Sequence, residues 1–406
     1  MLPFGFENRV VTRIAQGFGW ALVTLLVLLW LAWLAARPAT PNSFYEAPRQ
    51  IPAKPGTLLR QQPFARGIPV GAIAWRILYT TIDQRGPVVA SALVVAPINN
   101  TAKARPIIAW AHGTTGVVPG CAPSLLEDPF ANVPAFQDVI RQGWIYVAAD
   151  YIGQGTRGPN PYLIGKGEAR SVLDAVRAAR QMKELVANDQ TVVWGHSQGG
   201  NAALWTAIEA PTYAPDVPIS GVAALAPATD LRSLVEIMQH VPVGRIMSSF
   251  ILQAYSERYP EVRFDTYAAG WSRILARDMA SRCLAGRSAL FSVVEALALG
   301  KTIFSLPPLK GPLGARLREN TPDHAISQPL LIAQGLSDDL VLPEIQGRFI
   351  RGRCAAAQAL EFLRYTGRDH LSLVAGDSPL TADLVTWTAA RLGGVAAPRG
   401  CHEITR

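Results

Sequence analysis

The stretch that most constrains the fold of this chain is Gly-His-Ser-Gln-Gly at residues 195–199. It comes after a short apolar run rich in β-branched residues and precedes a helix-like pattern that extends to residue 207. A strand, a sharp turn and a helix in this order form a nucleophile elbow, which exposes the serine of Gly-x-Ser-x-Gly. Because the strained turn crowds its neighbours, Gly195 and Gly199 must lack side chains. The pattern predicts that Ser197 is a catalytic nucleophile.

Two strand-like runs further along the chain end in polar loops that offer an acid and a base. Residues 329–335 lead into a loop with Asp338 and Asp339, and residues 360–365 are followed by His370. Such loops converge on one edge of a parallel sheet, and this fold class orders its triad as Ser, Asp or Glu, then His. We expect His370 to be the base. We favour Asp338 over Asp339 as the acid because it stands three residues after the strand-ending glycine.

The expected acyl transfer also needs backbone donors for its oxyanion. One is the amide of Gln198, at the start of the helix after the nucleophile, where the helix dipole favours negative charge. A second donor comes from the loop after another strand. Here an apolar run opens into a turn that contains Gly113, Thr114 and Thr115. We take Asp150, which comes after a further strand, as a structural turn residue because it precedes the nucleophile.

A long segment separates the strand that ends near Pro227 from the strand that starts at Pro329, and a plain connection needs far fewer residues. Four stretches within it have the periodicity of helices with apolar stripes, namely 231–239, 246–258, 267–279 and 290–299. We expect a helical cap that covers Ser197 and forms an acyl-binding cavity, the alternative being helices that only pack against the body. The chain then divides into residues 1–43 (export segment and linker), 44–228 and 326–406 (catalytic core), and 229–325 (cap).

The N-terminus carries Arg9 and Arg13 before an uncharged stretch from Ile14 to Ala36. Positive residues before an apolar run are typical of a secretory signal peptide or an uncleaved signal anchor. The run is long for a signal peptide and just long enough to span a bilayer. Residues 34–39 offer only a poor cleavage pattern. We expect export, with the protein secreted, periplasmic or anchored to the membrane by this segment.

Four cysteines suit an exported protein with disulfides and allow three pairings. We favour Cys354 with Cys401, which the chain end can reach if the last helix packs over the edge strand. Cys121, after the oxyanion loop, then pairs with Cys283 in the cap. Four free thiols are the alternative for a cytosolic protein.

The formal net charge is +8, but the basic residues are scattered and do not alternate with aromatic residues. This distribution argues against nucleic-acid binding and allows a mild attraction to anionic membrane surfaces. No pair of cysteines or histidines has the spacing of a metal site, so we expect neither metal nor cofactor. The sequence leaves the oligomeric state open.

Four motifs together resemble the bacterial branch of the secretory lipase family. They are His-Gly-Thr-Thr-Gly at 112–116, Cys-Ala-Pro-Ser at 121–124, Asp-Tyr-x-Gly-x-Gly at 150–155 and Gly-His-Ser-Gln-Gly-Gly at 195–200. The resemblance extends from residue 44 to residue 401. It implies an α/β-hydrolase fold, with a mostly parallel sheet, helices on both faces and a helical cap. It also implies carboxylic-ester substrates and a triad of Ser197, Asp338 and His370.

The main hypothesis is therefore a secreted lipase that cleaves acylglycerol or other lipid esters. One alternative is an esterase or acyltransferase that acts on polar or cell-envelope acyl groups. A serine peptidase is disfavoured because the insertion is helical rather than a propeller or a β domain. A non-catalytic binding protein on a hydrolase scaffold is disfavoured by the intact triad.

Overall fold

The computed structural model describes residues 5–98 and 103–406, so the first four residues of the predicted export segment lie outside it. Within these ranges the centre of the molecule is a ten-stranded sheet. Its strands are β1 (Leu58–Phe64), β2 (Ala72–Asp83), β3 (Gly86–Pro97), β4 (Arg105–Ala111), β5 (Ile145–Ala149), β6 (Ala187–His196), β7 (Ile219–Leu225), β8 (Leu330–Gly335), β9 (Leu360–Tyr365) and β10 (Cys401–Thr405).

The strand order is β1-β2-β3-β5-β4-β6-β7-β8-β9-β10. The pairs β1–β2, β2–β3 and β3–β5 are antiparallel. Every neighbouring pair from β5 to β10 is parallel. The sheet is therefore mostly parallel, as predicted, and the carboxyl ends of β4 and β6 to β9 lie at one edge. The predicted site residues come directly after these ends.

The helices are α1 (Gly5–Ala35), α2 (Phe136–Arg141), α3 (Gly165–Ala179), α4 (Gln198–Tyr213), α5 (Leu231–Met238), α6 (Pro242–Arg258), α7 (Phe264–Tyr267), α8 (Gly270–Ala280), α9 (Gly286–Leu299), α10 (Gly311–Glu319), α11 (Pro343–Ala355) and α12 (Leu380–Leu392). Helices α3, α4 and α11 contribute to the core on one face of the sheet. Helices α2 and α12 contribute to the core on the other face. This is the two-sided arrangement that the sequence predicted.

The run before the serine motif is apolar throughout because both faces of β6 are covered. Val193 belongs to the core formed with α3 and α4, whereas Val192 and Trp194 belong to the core formed with α12. Side chains alternate along a strand, so a doubly covered strand needs apolar residues at successive positions. The buried strand holds the following turn in place.

Helices α5 to α10 lie between β7 and β8 and share a core with residues 162–164, which precede α3. The stretch predicted as one helix at 267–279 is interrupted instead. The carbonyl of Tyr267 accepts a hydrogen bond from the Ser305 amide, and the Ala269 amide donates to the Ser305 hydroxyl. These contacts replace helical hydrogen bonds between α7 and α8. Helix α10 was not predicted; it begins within the proline-rich stretch at 307–312, with Pro312 in its first turn.

The end of the chain differs from the expectation. It forms β10, which pairs in parallel with β9, so β9 is not the edge strand and the last helix does not bridge the two cysteines. Cys401, the first residue of β10, is bonded to Cys354 of α11. The second disulfide joins Cys121 to Cys283. It links the segment after β4 to the segment between α8 and α9.

Candidate active site

Ser197 occupies the turn between β6 and α4 with φ 59° and ψ −120°, a strained conformation for a residue with a side chain. A Cβ added at Gly195 would lie 2.0 Å from the carbonyl oxygen of Gly199. One added at Gly199 would lie 1.9 Å from the carbonyl oxygen of Ala111. Only glycine fits at both positions, which is the physical reason for the motif around the serine.

The acid and base candidates come from the loops after β8 and β9. His370 Nδ1 lies 2.8 Å from Asp338 Oδ2, and both side chains are buried. Asp338 Oδ1 accepts hydrogen bonds from the amides of Leu340, at 2.9 Å, and Val341, at 2.8 Å. These bonds fix the carboxylate toward the imidazole. Asp339 is exposed to solvent, so the structure brings Asp338 to the histidine.

Ser197 and His370 line one cavity of about 900 Å³, together with Gly113, Thr114 and Thr115. A Cβ at Gly113 would be 3.7 Å from the Ser197 Cβ, so the turn after β4 lies directly beside the serine. Gln198 is the first residue of α4, and the first amides of a helix have no partner within it. The two expected sources of oxyanion donors therefore flank Ser197.

The turn after β4 is held by buried polar groups. The His112 ring has its Nδ1 2.6 Å from the Gly113 carbonyl oxygen, and burial lowers the pKa of His112 to about 4. The side-chain amide of Gln154 donates to the Gly116 carbonyl at 2.8 Å and to the Thr115 hydroxyl at 2.9 Å. A neutral imidazole and one amide thus fix the backbone that borders the serine. The sequence did not single out Gln154.

His196, inside the serine motif, was also missed as a functional residue. Its Nε2 donates to the His370 carbonyl oxygen at 2.9 Å, and the two rings are 4.7 Å apart between centroids. Burial, with a smaller contribution from His370, lowers the pKa of His196 to about 3. The ring is therefore neutral. Its place next to the nucleophile was the available signal.

Glu168 of α3 is a second missed residue, and no sequence pattern marks it. It is fully buried and accepts hydrogen bonds from the Gln198 side-chain amide at 2.5 Å and the Leu163 amide at 3.0 Å. Burial raises the pKa of Glu168 to about 8. The carboxyl group holds the residue after the nucleophile against α3.

Asp150 has structural contacts. Its carboxylate accepts hydrogen bonds from the hydroxyls of Ser91 and Ser124, both at 2.6 Å, and from the Ser124 amide at 3.0 Å. It anchors the segment after β5 to β3 and to the loop near Cys121. In the described ranges, no group of three or more His, Cys, Asp or Glu side chains is placed to hold a metal ion.

Known proteins resemble this chain in sequence. The sequence model of the secretory lipase family matches residues 132–400. Lipase 6 of Candida albicans is 23% identical over 408 residues, covering 91% of this chain and 85% of that protein. The secreted triacylglycerol lipase LIP4 of Malassezia globosa is 25% identical over 351 residues, covering 81% of this chain and 75% of that protein.

Solved structures share the fold. Candida antarctica lipase A in its closed state superposes with a TM-score of 0.70 at 16% identity, covering 88% of this chain and 87% of that one. The rice cell wall degrading esterase LipA from Xanthomonas oryzae gives a TM-score of 0.65 at 18% identity, covering 84% and 97%. These likenesses confirm the predicted α/β-hydrolase fold. Since the family match spans well over half of the sequence, the chain belongs to the secretory lipase family and is a carboxylic-ester hydrolase.

Proposed function

We propose that Ser197, His370 and Asp338 hydrolyse a lipid ester through an acyl-enzyme. The Ser197 hydroxyl attacks the ester carbonyl carbon while His370 takes its proton. The same proton then passes to the departing alcohol. A water molecule, deprotonated by His370, attacks the acyl carbon, and the fatty acid leaves as the proton returns to Ser197. Asp338 orients the imidazole and stabilises its charged form.

The tetrahedral intermediates of both steps carry a negative oxygen. In this proposal the charge is stabilised by the Gln198 amide at the start of α4 and by an amide of the Gly113–Thr115 turn, which lies beside Ser197. Preorganised backbone donors in a site with little water stabilise such an oxyanion strongly. The observation that carries the proposal is the strained Ser197 in one cavity with a His370 ring held by Asp338.

Two features favour a lipid ester over a small polar ester. Val243 and Met247 of α6 and Leu284 line the cavity above the serine, so an acyl chain would contact apolar side chains. Named relatives are triacylglycerol lipases. In this proposal, residues 229–325 act as the cap that holds the acyl chain, and residues 44–228 and 326–406 form the catalytic core.

The test is covalent labelling. A fluorophosphonate probe should react with the purified protein, and peptide mapping should place the label on Ser197. Ser197→Ala should remove labelling and leave only about 10³–10⁴-fold acceleration over water. Ser43→Ala, which replaces an exposed serine far from Ser197 in the sequence, serves as the matched control. A label on another residue, or full hydrolysis by Ser197→Ala, overturns the proposal.

The secretory family and its secreted relatives indicate export. Among the described residues, one helix is long and apolar enough to cross a membrane, with its span at Ala15–Ala35. We propose that this segment of α1 directs export and that the enzyme works at a membrane or lipid surface.

A further inference from the structure

Most of the apolar part of α1 is exposed and is not packed against the folded body. Its span of 21 residues contains no charged side chain, and residues 15–32 are exposed, while Trp33 and Leu34 at its end are half-buried. At 1.5 Å per residue this length matches the hydrocarbon core of a bilayer, about 30 Å thick. A cleaved signal peptide has the same composition, so the contacts of the residues after the span distinguish an anchor from a signal peptide.

The residues at and after the end of α1 are built into the folded body. Ala36 is buried, and the Ala39 carbonyl approaches Gly120 so closely that a Cβ at Gly120 would be 2.2 Å from it. The buried guanidinium of Arg282 lies over the Trp33 ring, 5.0 Å from its centroid. A cut at the weak cleavage pattern of residues 34–39 would remove Trp33 from this contact. The folded body therefore makes specific contacts with the end of α1, and these contacts would be lost on cleavage.

The same segment forms part of the active-site wall. Residues 35–39 line the cavity that contains Ser197 and His370. When Ala15–Ala35 crosses a bilayer, residue 35 lies at the surface of the membrane. Since residues 35–39 line the cavity, the cavity must then open near this surface, and no conformational change is needed to bring it there.

An exposed apolar face lies beside the end of α1. Trp271 and Ile274 of α8, and Leu290, Val294 and Leu297 of α9, are each more than half exposed. The three α9 residues are spaced to lie on one side of that helix. Arg282 contacts both Trp33 and the Phe291 ring of α9, which places α9 against the end of α1. Since α9 begins at residues that line the cavity, one helix connects the cavity wall with the side chain that holds the end of α1.

We propose that α1 stays attached to the mature enzyme and that α8 and α9 rest on the same bilayer, so that the cavity takes its ester substrate directly from the membrane that holds α1. This rests on the proposed ester hydrolysis at Ser197. The occupant of the apolar face is lipid of that bilayer, because Arg282, which follows α8, contacts both the end of the anchor and α9. The substrate class is an acyl ester dissolved in the membrane, rather than one that reaches the site through water.

The first experiment determines whether α1 is retained. The full chain is expressed with a C-terminal tag in an exporting bacterial host, and the membrane fraction is washed with alkaline carbonate. The protein should stay in the pellet, and its intact mass should include residues 15–36. A mature N-terminus at Arg37 or later overturns the proposal.

The second experiment tests whether the cavity takes its substrate from the bilayer that holds α1. Full-length enzyme is reconstituted into vesicles of phosphatidylethanolamine and phosphatidylglycerol. A fluorogenic long-chain ester is placed either in the same vesicles or in separate ones, and a soluble acetate ester is assayed in parallel. Because the anchored enzyme and the ester then share one bilayer, the effective concentration of the ester is higher, and the ester in the same vesicles should be cleaved about 100-fold faster. Equal rates overturn this proposal but leave the proposed function, whereas no hydrolysis of either the long-chain ester or the acetate ester contradicts the proposed function itself.

A triple variant tests the apolar face. Leu290→Ser, Val294→Ser and Leu297→Ser together should slow hydrolysis in the same vesicles by about tenfold or more, since the three side chains then no longer enter the apolar part of the bilayer. Acetate turnover should not change. Val70→Ser with Val395→Ser, two exposed apolar residues outside α8 and α9, is the matched control. An equal effect of both variants contradicts the role of α9.

Discussion

His196 holds the backbone of His370: its Nε2 lies 2.9 Å from the His370 carbonyl oxygen, and the two rings pack with centroids 4.7 Å apart. The residue before the nucleophile is therefore bonded to the residue proposed as the base. Because burial keeps the pKa of His196 at about 3, the ring donates this bond as a neutral imidazole throughout the physiological range. Two loops that are far apart in the sequence are thus fixed relative to each other.

His196→Ala should lower kcat about fivefold to tenfold with KM nearly unchanged, since one net hydrogen bond is worth about 1 kcal/mol. The exposed His402 of β10 supplies the control, and His402→Ala should leave both constants unchanged. Steady-state kinetics on a soluble ester measures this split. A rise in KM alone would mean that His196 contacts the substrate rather than positioning His370.

Substitution of the two neighbouring aspartates, Asp338 and Asp339, should have very different effects on kcat. Asp338→Asn removes the charge that orients the His370 ring and should lower kcat by about 10⁴-fold, as loss of this charge does in a Ser-His-Asp triad. Asp339→Asn should change kcat less than about twofold because Asp339 is exposed, where substitutions usually have small effects. Both variants are compared by kcat on a soluble ester. The reverse ranking would identify Asp339 as the acid.

Glu168 should make stability depend on pH. Burial raises its pKa in the folded protein to about 8 from an ordinary value of 4.5. The folded state therefore holds the proton more tightly than the unfolded state, and this stabilisation is complete below pH 4.5 and is lost as pH rises through 8. In the wild-type protein the free energy of unfolding should therefore fall with rising pH. Glu168→Gln should remove the share of this fall that Glu168 causes, measured as the midpoint of urea unfolding from about pH 5 to about pH 9. The exposed Glu46→Gln should retain it, and an unchanged slope in Glu168→Gln would contradict the assignment.

The sequence predicted those parts of the fold that local chemistry determines. The Gly-x-Ser-x-Gly turn admits only glycine at two positions, and the runs around 192 and 331 are apolar because both faces are covered. It did not predict β10, because three of its five residues, His402, Glu403 and Thr405, are exposed and polar, and the segment becomes a strand only by pairing with β9. The sequence did not predict the role of Glu168 either, since this role arises from a contact with Gln198, which is 30 residues away in sequence. Contacts between distant segments leave no periodic pattern.

The two disulfides should differ in their effects on the free energy of unfolding and on kcat. Cys354–Cys401 closes a loop with a sequence separation of 47, and Cys121–Cys283 one of 162. In the chain-entropy model these closures are worth about 4 and about 5 kcal/mol. Cys354→Ser with Cys401→Ser should lower the free energy of unfolding but preserve kcat, because this bond lies away from the cavity. Cys121→Ser with Cys283→Ser should lower both, since Cys283 lines the cavity. Chemical denaturation and kinetics on each variant measure the two effects.

The choice of acyl chain should depend on the helices above the serine. Val243 and Met247 are one turn apart on α6, and both line the cavity. Each methylene of an acyl chain buried there is worth about 0.8 kcal/mol, or roughly fourfold in kcat/KM, so medium and long chains should be preferred to acetate until the cavity is full. Met247→Trp should shorten the preferred chain and leave acetate hydrolysis unchanged, because it fills space that acetate does not reach. Val294→Trp, on the exposed side of α9, should not alter the ranking of soluble esters.

A panel of p-nitrophenyl esters of increasing chain length, assayed in detergent, measures this preference. Detergent removes the contribution of the membrane surface, so the panel reports on the cavity alone. If acetate and butyrate are the best substrates, and Met247→Trp slows all chain lengths equally, then the α6 side chains do not bind the acyl group. The enzyme would then be an esterase for short or polar acyl groups, with the same triad and a cap that serves only to cover it.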